Sequence, residues 1–210
     1  MPEQLGDYFY FLKTKDFPAT LQTKNGANQQ YEVYVRQKAN ILKTNQIEAD
    51  KKEEIVLDQL EVPFVPNQLQ RSTLVNKFKI SDNQTLVAFI LDIGNTERLT
   101  GGFKNMTTGK ILPIRLDNIG DIVFGEDHVV FYSETDSQNR PYKVMKLDVD
   151  SGESECIFVD DDPTHYIDIG TTKDKRYIVI ASNTKEDSEI WVIERSKESQ
   201  QPLPRKLLQR

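Results

Sequence analysis

The sequence is poor in the residue types that mark several common protein classes. It contains one cysteine, Cys156, and two histidines, His128 and His165, among 210 residues. A single thiol excludes an internal disulfide framework and fits a reducing compartment. Neither histidine has a cysteine, a histidine or a carboxylate nearby at ligand spacing, which favours structural or solvated roles for both and predicts no metal site.

Long apolar runs are also missing. The longest are short, such as "LVAFIL" at 86–91, whereas a bilayer span needs about 20 apolar residues. The N-terminal residues lack an apolar core ending in small residues, so we predict no secretory signal. The net charge of −6 argues against binding to nucleic acid or to an anionic membrane by bulk electrostatics. These features predict a cytoplasmic protein with no membrane insertion.

No catalytic or phosphate-binding motif is present. A nucleophile elbow needs a serine flanked by glycines as G-x-S-x-G, and none occurs. The stretch "NMTTGKILPI" resembles the end of a phosphate loop, but six residues separate Gly102 from Gly109 and Ile111 follows Lys110. Gly109 is better explained by a hairpin turn with positive φ. We therefore predict no catalytic, cofactor-binding or metal residue in this chain, and no cofactor.

Other candidates for chemistry have simpler explanations. The run 160–162, three aspartates, could hold Ca²⁺, but a solvated loop is favoured. The stretch 148–155 echoes a calcium loop with its glycine one position early, so a hairpin turn is the better account. Trp191 is expected to pack between neighbouring sheets. Cys156 is expected in the core, because a reactive thiol needs an exposed, electropositive setting.

Three segments share one pattern of a short apolar stretch, a polar turn and a dense apolar strand. They are 78–92, 122–134 and 168–182, with Leu86, Val129 and Tyr177 at equivalent positions. A polar hairpin and another strand follow each one, and in two repeats a tight turn and a last short strand complete the unit. Four strands in about 45 residues, repeated, are typical of a β-propeller blade.

The N-terminal quarter is less regular. Strands are predicted at 7–13, 31–37 and 53–59, and part of 38–54 is predicted as a polar loop or short helix. The fold class is therefore all-β, a partial β-propeller of about four four-stranded blades, with an irregular first blade that lacks a strand. We assign these blades to residues 1–70, 71–115, 116–163 and 164–210.

Several stretches resemble the prolyl oligopeptidase family, the oligopeptidase B branch in particular. They are "GDYFYF", "YEVYVRQK", "EEIVLD", "ISDNQTLVAFILDIGNTER", "NMTTGK" and "TTKDKRYIVIASNTKEDSEIWVI", and above all "FYSETDSQNRPYKVMKLDV", in which 140–144 follows the family pattern closely. The similarity covers nearly the whole chain, in order. One departure is the pair Gly101 and Gly102, which stands where the family has bulkier residues and is expected to weaken that strand.

The resemblance implies a function through a second domain. Members of the family join a seven-bladed propeller to an α/β-hydrolase domain with a Ser-Asp-His triad, and the propeller restricts access to short peptides. This chain resembles the first four or so blades, and none of the family's catalytic residues has a counterpart in it. Whether the protein is an enzyme is therefore open from these residues alone.

Three hypotheses follow. The leading one is a propeller segment of an oligopeptidase B-like serine peptidase, whose partner is the catalytic domain and whose peptides bind through that domain. The alternative is a non-catalytic half-propeller that acts as a scaffold or interaction subunit, with another protein covering its open blades. The third is a small closed four-bladed binding module.

Overall fold

The computed structural model describes residues 3–22, 30–41, 47–126, 128–195 and 204–208. These residues form sixteen β-strands in four antiparallel sheets of four strands each. The helices in this part of the chain are short 3₁₀ turns at Ala19–Leu21, Gln59–Glu61 and Asn67–Ser72, and none of them is long or apolar enough to cross a membrane. The chain divides into two compact units, Met1–Arg71 and Ser72–Arg210.

The first unit contains the first sheet, with strand order β1-β2-β3-β4. Its strands are β1 (Glu3–Leu5), β2 (Tyr8–Asp16), β3 (Gln30–Ile41) and β4 (Ile47–Leu57).

Two sequence expectations for this sheet are wrong. The sheet has a fourth strand, β1, which pairs with β2 across a turn at Gly6. Gly6 has a φ of 56°. The region predicted as a loop or helix is mostly strand, because the β3–β4 ladder continues to the pair Ile41 and Ile47. Cross-strand hydrogen bonding overrides the polar composition here, since β-propensity depends strongly on pairing context. Residues 42–46 lie outside the described part of the chain.

A buried carboxylate organises the end of the first unit. Asp58 accepts hydrogen bonds from Lys15 Nζ at 3.0 Å, from the Tyr31 hydroxyl at 3.1 Å and from the Leu60 amide at 3.0 Å, so it also caps the short helix that follows. Burial, together with the nearby Asp58 charge, raises the pKa of the Tyr31 hydroxyl. The Asp58 carboxylate thus fixes where β4 ends and the chain leaves the sheet.

The second unit contains three sheets that repeat one plan. Each is a meander in which consecutive strands pair, in the orders β5 to β8, β9 to β12 and β13 to β16. The second sheet consists of β5 (Leu74–Ile80), β6 (Leu86–Asp92), β7 (Leu99–Asn105) and β8 (Ile111–Asp117). The third consists of β9 (Ile119–Phe124), β10 (Val129–Thr135), β11 (Pro141–Asp148) and β12 (Ser154–Val159). The fourth consists of β13 (Tyr166–Thr171), β14 (Tyr177–Asn183), β15 (Ser188–Glu194) and β16 (Arg205–Leu208).

Two apolar cores join these three sheets face to face. Side chains alternate along a strand, so the second strand of each sheet directs one set of side chains towards the preceding sheet and the other set towards the following sheet. Leu86, Ala88 and Ile90 of β6 pack with Val130 and Tyr132 of β10. The opposite face of the third sheet builds the next core, in which Phe131 of β10 meets Ile178 and Ile180 of β14. Burial of each large apolar side chain contributes about 1.5–3 kcal/mol, so these two cores are the main force that stacks the sheets.

Strand β7 runs without a break through Gly101 and Gly102, which pair with Ile90 and Phe89. The ladder between β6 and β7 is therefore continuous, whereas the ladder between β7 and β8 has a register irregularity between Gly102 and Lys104. A Cβ on Gly101 would lie 2.6 Å from Ile119 Cδ1 of the third sheet. The missing side chain lets the two sheets approach closely.

Candidate functional site

Both tight turns compared in the sequence are hairpin turns built in one way. Gly109 has a φ of 70° and Gly152 a φ of 76°, values that glycine adopts at little cost. Asn105 Oδ1 accepts hydrogen bonds from the amides of Thr107 and Thr108 at 2.9 Å. In the other turn, Asp148 Oδ1 accepts from the amides of Asp150 and Ser151 at 3.0 and 2.9 Å. The prediction of a turn in place of a phosphate loop is confirmed. The calcium-like stretch is a hairpin turn as well.

His128 links two sheets. Its Nδ1 lies 2.7 Å from Asp150 Oδ1, and its Nε2 lies 3.1 Å from the hydroxyl of Thr85 in the turn between β5 and β6. The imidazole therefore connects the second sheet to the β11–β12 turn of the third sheet. This arrangement agrees with the structural role favoured from the sequence.

His165 occupies the junction between the third and fourth sheets. It is only 3% exposed, with Nδ1 3.3 Å from Asp162 Oδ2 and Nε2 3.3 Å from Asp187 Oδ1. Arg140 Nη1 donates to the backbone carbonyls of Asp162 at 2.8 Å and His165 at 2.9 Å. Its Nε donates to Asp136 at 3.0 Å. Arg140 belongs to the stretch that resembles the family most closely, and here it fastens the loop between two sheets.

The three aspartates at 160–162 lie in the connection between β12 and β13. Asp160 Oδ2 accepts from the Ser182 hydroxyl at 2.5 Å, while Asp161 is exposed. Asp162 accepts from the Thr164 hydroxyl and amide at 2.7 and 2.9 Å, and these bonds, with the neighbouring His165, lower its pKa to about 2. Two of the three carboxylates therefore hold the loop in place. Among the described residues, no group of three or more His, Cys, Asp or Glu side chains is arranged to hold a metal ion.

Trp191 and Cys156 had both been expected in the core. Trp191 packs at the edge of the second core and meets Phe158 of the third sheet edge to face, which confirms that it lies between neighbouring sheets. The expectation for Cys156 is wrong, because this residue is exposed on β12. A bulge at Ile157 shifts the β11–β12 register and changes which residues face the core.

The fourth sheet has a second face, on the side away from the second core, where half-buried and exposed residues alternate along the strands. We call it the open face, and it is formed by alternating residues of β13, β14 and β15: Tyr166, Asp168, Gly170, Tyr177, Val179, Ala181 and Ile190. Tyr166 is 45% exposed, and nothing lies within 4 Å of the position that a Cβ on Gly170 would take. Tyr177, Val179 and Ala181 are in phase with Leu86, Ala88 and Ile90, whose face is buried by the next sheet. The open face is thus the candidate interface for a further sheet.

A charged cluster that the sequence did not point to lies where three equivalent turns meet. We call it the inner-turn cluster, because it involves the turns that follow β5, β9 and β13, the first strands of the second, third and fourth sheets. Arg195, just after β15, donates from Nη2 to Asp82 Oδ2 at 2.9 Å and to the Gly125 carbonyl, and from Nη1 to the Lys175 carbonyl at 2.9 Å. Lys175 Nζ also donates to Asp82 at 2.6 Å. An alignment of the three repeats on Leu86, Val129 and Tyr177 puts these turns at equivalent positions, and this signal in the sequence could have revealed the cluster.

The sheets define the class of protein. Stacked four-stranded meanders that present the same face to the next sheet form a partial β-propeller. A model of the family described as "Prolyl oligopeptidase, N-terminal beta-propeller domain" matches residues 6–210. The chain therefore belongs to the prolyl oligopeptidase family, and it corresponds to the N-terminal propeller.

Similar proteins agree with this assignment. "Protease 2" of Moraxella lacunata is 25% identical over 202 residues, which cover 92% of this chain and 26% of the relative. The structure of oligopeptidase B from Leishmania major matches with a TM-score of 0.74 and 19% identity, over 99% of this chain and 27% of that one. The structure of oligopeptidase B from Trypanosoma brucei matches with a TM-score of 0.72 and 21% identity, over 99% of this chain and 27% of that one. The two structures show the shared fold, and the chain spans about a quarter of the length of these proteins.

Proposed function

We propose that this chain is the N-terminal propeller segment of an oligopeptidase B-like serine peptidase. In this role it gates the access of short peptides to a catalytic α/β-hydrolase domain that lies outside these residues. The assignment of residues 1–70, 71–115, 116–163 and 164–210 to four successive blades is part of the proposal. So are a cytoplasmic location and the absence of nucleic-acid and membrane partners.

The observation that carries the proposal is the open face together with the family match. The two sheet junctions described above bury the same alternating positions, and in the fourth sheet the residues at those positions, Tyr177, Val179 and Ala181, are only half-buried among the described residues. Exposed apolar sheet faces mark interaction sites, since soluble proteins rarely leave them bare. A further blade of a propeller, packed as its neighbours are, is the occupant that this repeat requires.

The first test is the intact mass of the protein isolated from its native source. A mass several times 24.2 kDa supports the proposal, provided that a fluorophosphonate probe labels a serine outside residues 1–210. The same protein should hydrolyse short peptides and leave folded proteins intact, because the propeller limits entry. A longer native chain without a reactive serine contradicts the peptidase assignment.

A variant of the open face tests the interface directly. Val179→Asp places a charge at the centre of this face and should destabilise the packing of the longer protein, since an unpaired buried charge is costly. Thr107→Asp, in the exposed β7–β8 turn, introduces the same charge as a matched control. Equal behaviour of the two variants in thermal unfolding of the native protein contradicts a covered open face.

The alternative function is a non-catalytic half-propeller that serves as a scaffold or interaction subunit. It is favoured by the same open face, which another protein would then cover. This alternative predicts a native mass near 24.2 kDa and stoichiometric co-purification with a second protein. A soluble monomer of that mass with cooperative unfolding would instead support the small closed binding module.

A further inference from the structure

The inner-turn cluster has an excess of positive charge in an otherwise acidic chain. The net charge of the chain is −6, yet the cavity at this cluster is lined by Lys79, Lys173, Lys175 and Arg195 and by one carboxylate, that of Asp82. The cavity has a volume of about 310 Å³, which suits a small ligand or a few peptide groups. Such a local reversal of charge favours an anion.

Position in the fold explains why these residues meet. Strand β9 packs against both β5 and β13, so the turns that follow these three strands lie at the same end of the stack. The Arg195 guanidinium then contacts one group from each turn, a carboxylate and two carbonyls. These bonds hold the guanidinium in one place, and a fixed planar donor costs little entropy to engage a ligand.

Hydrogen-bonding capacity remains unused at the cluster. The Arg195 side chain is only 6% exposed, and its Nε has no acceptor within the described part of the chain. Lys79 and Lys173 make no ion pair with any described residue. A buried donor without an acceptor is costly, so an added acceptor at this position would be favoured. Asp174 does not supply it: its Oδ1 accepts from the Thr172 hydroxyl at 2.6 Å and from the Arg176 amide at 3.1 Å, and it makes no bond to Arg195 Nε.

We propose that the inner-turn cluster binds a carboxylate of a peptide, either an acidic side chain or a C-terminus. Asp82 already shows that the arrangement accepts a carboxylate, since Arg195 and Lys175 both donate to it. A second carboxylate can be held by Lys79 and Lys173, the two cavity lysines that make no ion pair with a described residue. Thr171 and Thr172 line the same cavity. This site does not depend on the peptidase assignment, and it can be tested on the chain itself.

The test compares two acetylated and amidated tripeptides, one of three aspartates and one of three asparagines, in binding to the 210-residue chain by calorimetry at low salt. The aspartate peptide should bind, and the asparagine peptide should not. Each exposed ion pair changes an affinity by about two- to fivefold, so Lys79→Gln with Lys173→Gln should weaken binding by about tenfold. Lys110→Gln, in the exposed β7–β8 turn, removes one positive charge elsewhere and should leave binding unchanged. Circular dichroism checks that each variant folds.

Three results would overturn the proposal. The first is binding of the asparagine peptide with the same affinity, which would show that carboxylates are not recognised. The second is an equal loss of binding in the Lys110→Gln variant and in the double variant, which would indicate bulk charge and no defined site. The third is the absence of peptide binding, including the case in which inorganic phosphate binds and depends on the same two lysines.

Discussion

Phe158 and Trp191 meet edge to face across the junction of the third and fourth sheets, with ring centroids 5.3 Å apart and an interplanar angle of 61°. They lie 33 positions apart in the sequence and belong to strands β12 and β15. Because Trp191 is the single tryptophan of the chain, its fluorescence reports on this junction alone. The pair therefore provides both a stabilising contact and a local probe.

Phe158→Leu should lower the free energy of unfolding by about 1–2 kcal/mol, because it removes the aromatic pair and part of the buried ring. Unfolding in urea, followed by tryptophan fluorescence, measures this change. Val159→Ala on the same strand is the control, since Val159 is 43% exposed and should cost less than about 0.5 kcal/mol. Equal losses for the two variants would show that the ring contact contributes nothing of its own.

Gly101→Ala should destabilise the second unit by about 1–3 kcal/mol, because the new Cβ would lie 2.6 Å from Ile119 Cδ1. Ile119→Val deletes that Cδ1 atom, so the double variant should recover part of the loss. Gly170→Ala is the matched control in another strand, where the added Cβ meets nothing within 4 Å. Thermal unfolding of the wild type, the two single variants at Gly101 and Ile119 and the double variant gives the coupling energy between the two positions. Strict additivity of Gly101→Ala and Ile119→Val would contradict the close approach of the two sheets.

The repeating part of the fold could be predicted from the sequence because two patterns agree there. Dense apolar strands such as β6, bounded by polar turns, combine with a repeat of about 45 residues between equivalent strands. Leu86, Val129 and Tyr177, aligned by sequence alone, do lie at equivalent positions, and Trp191 lies between sheets as expected. Local pattern and tertiary packing point to the same answer in this region.

Other features could not be predicted because they depend on pairing that the sequence does not display. The exposure of Cys156 follows from the bulge at Ile157, and strand β1 has too few residues to show an alternation. The extension of the β3–β4 ladder to the pair Ile41 and Ile47, beyond the predicted strands, is mostly polar and gives little apolar signal. The inner-turn cluster joins Asp82 to Arg195, 113 residues away, and only the stacking of the sheets brings the two together.

Arg140→Lys should lower the free energy of unfolding by about 2 kcal/mol. A lysine cannot reproduce the fork that serves the carbonyls of Asp162 and His165 together with the Asp136 carboxylate. The His165 amide, which donates to Asp162 at 3.1 Å, should also exchange its hydrogen faster. Arg176→Lys, on an exposed turn, is the matched control and should change neither quantity. Unchanged exchange at His165 in the Arg140 variant would contradict the fastening role.

Asp162→Asn should flatten the acid dependence of stability between about pH 4 and pH 2. The folded-state pKa of Asp162 is about 2, below the ordinary value of 3.8, so in this window the unfolded chain binds more protons. The contribution of this carboxylate is therefore present above pH 3.8 and is lost as the pH falls towards 2. Asp161→Asn, at the exposed neighbouring position, is the matched control. Urea unfolding from pH 6 to pH 2 measures both slopes, and parallel curves for the two variants would show that the Thr164 and His165 contacts do not stabilise the Asp162 carboxylate.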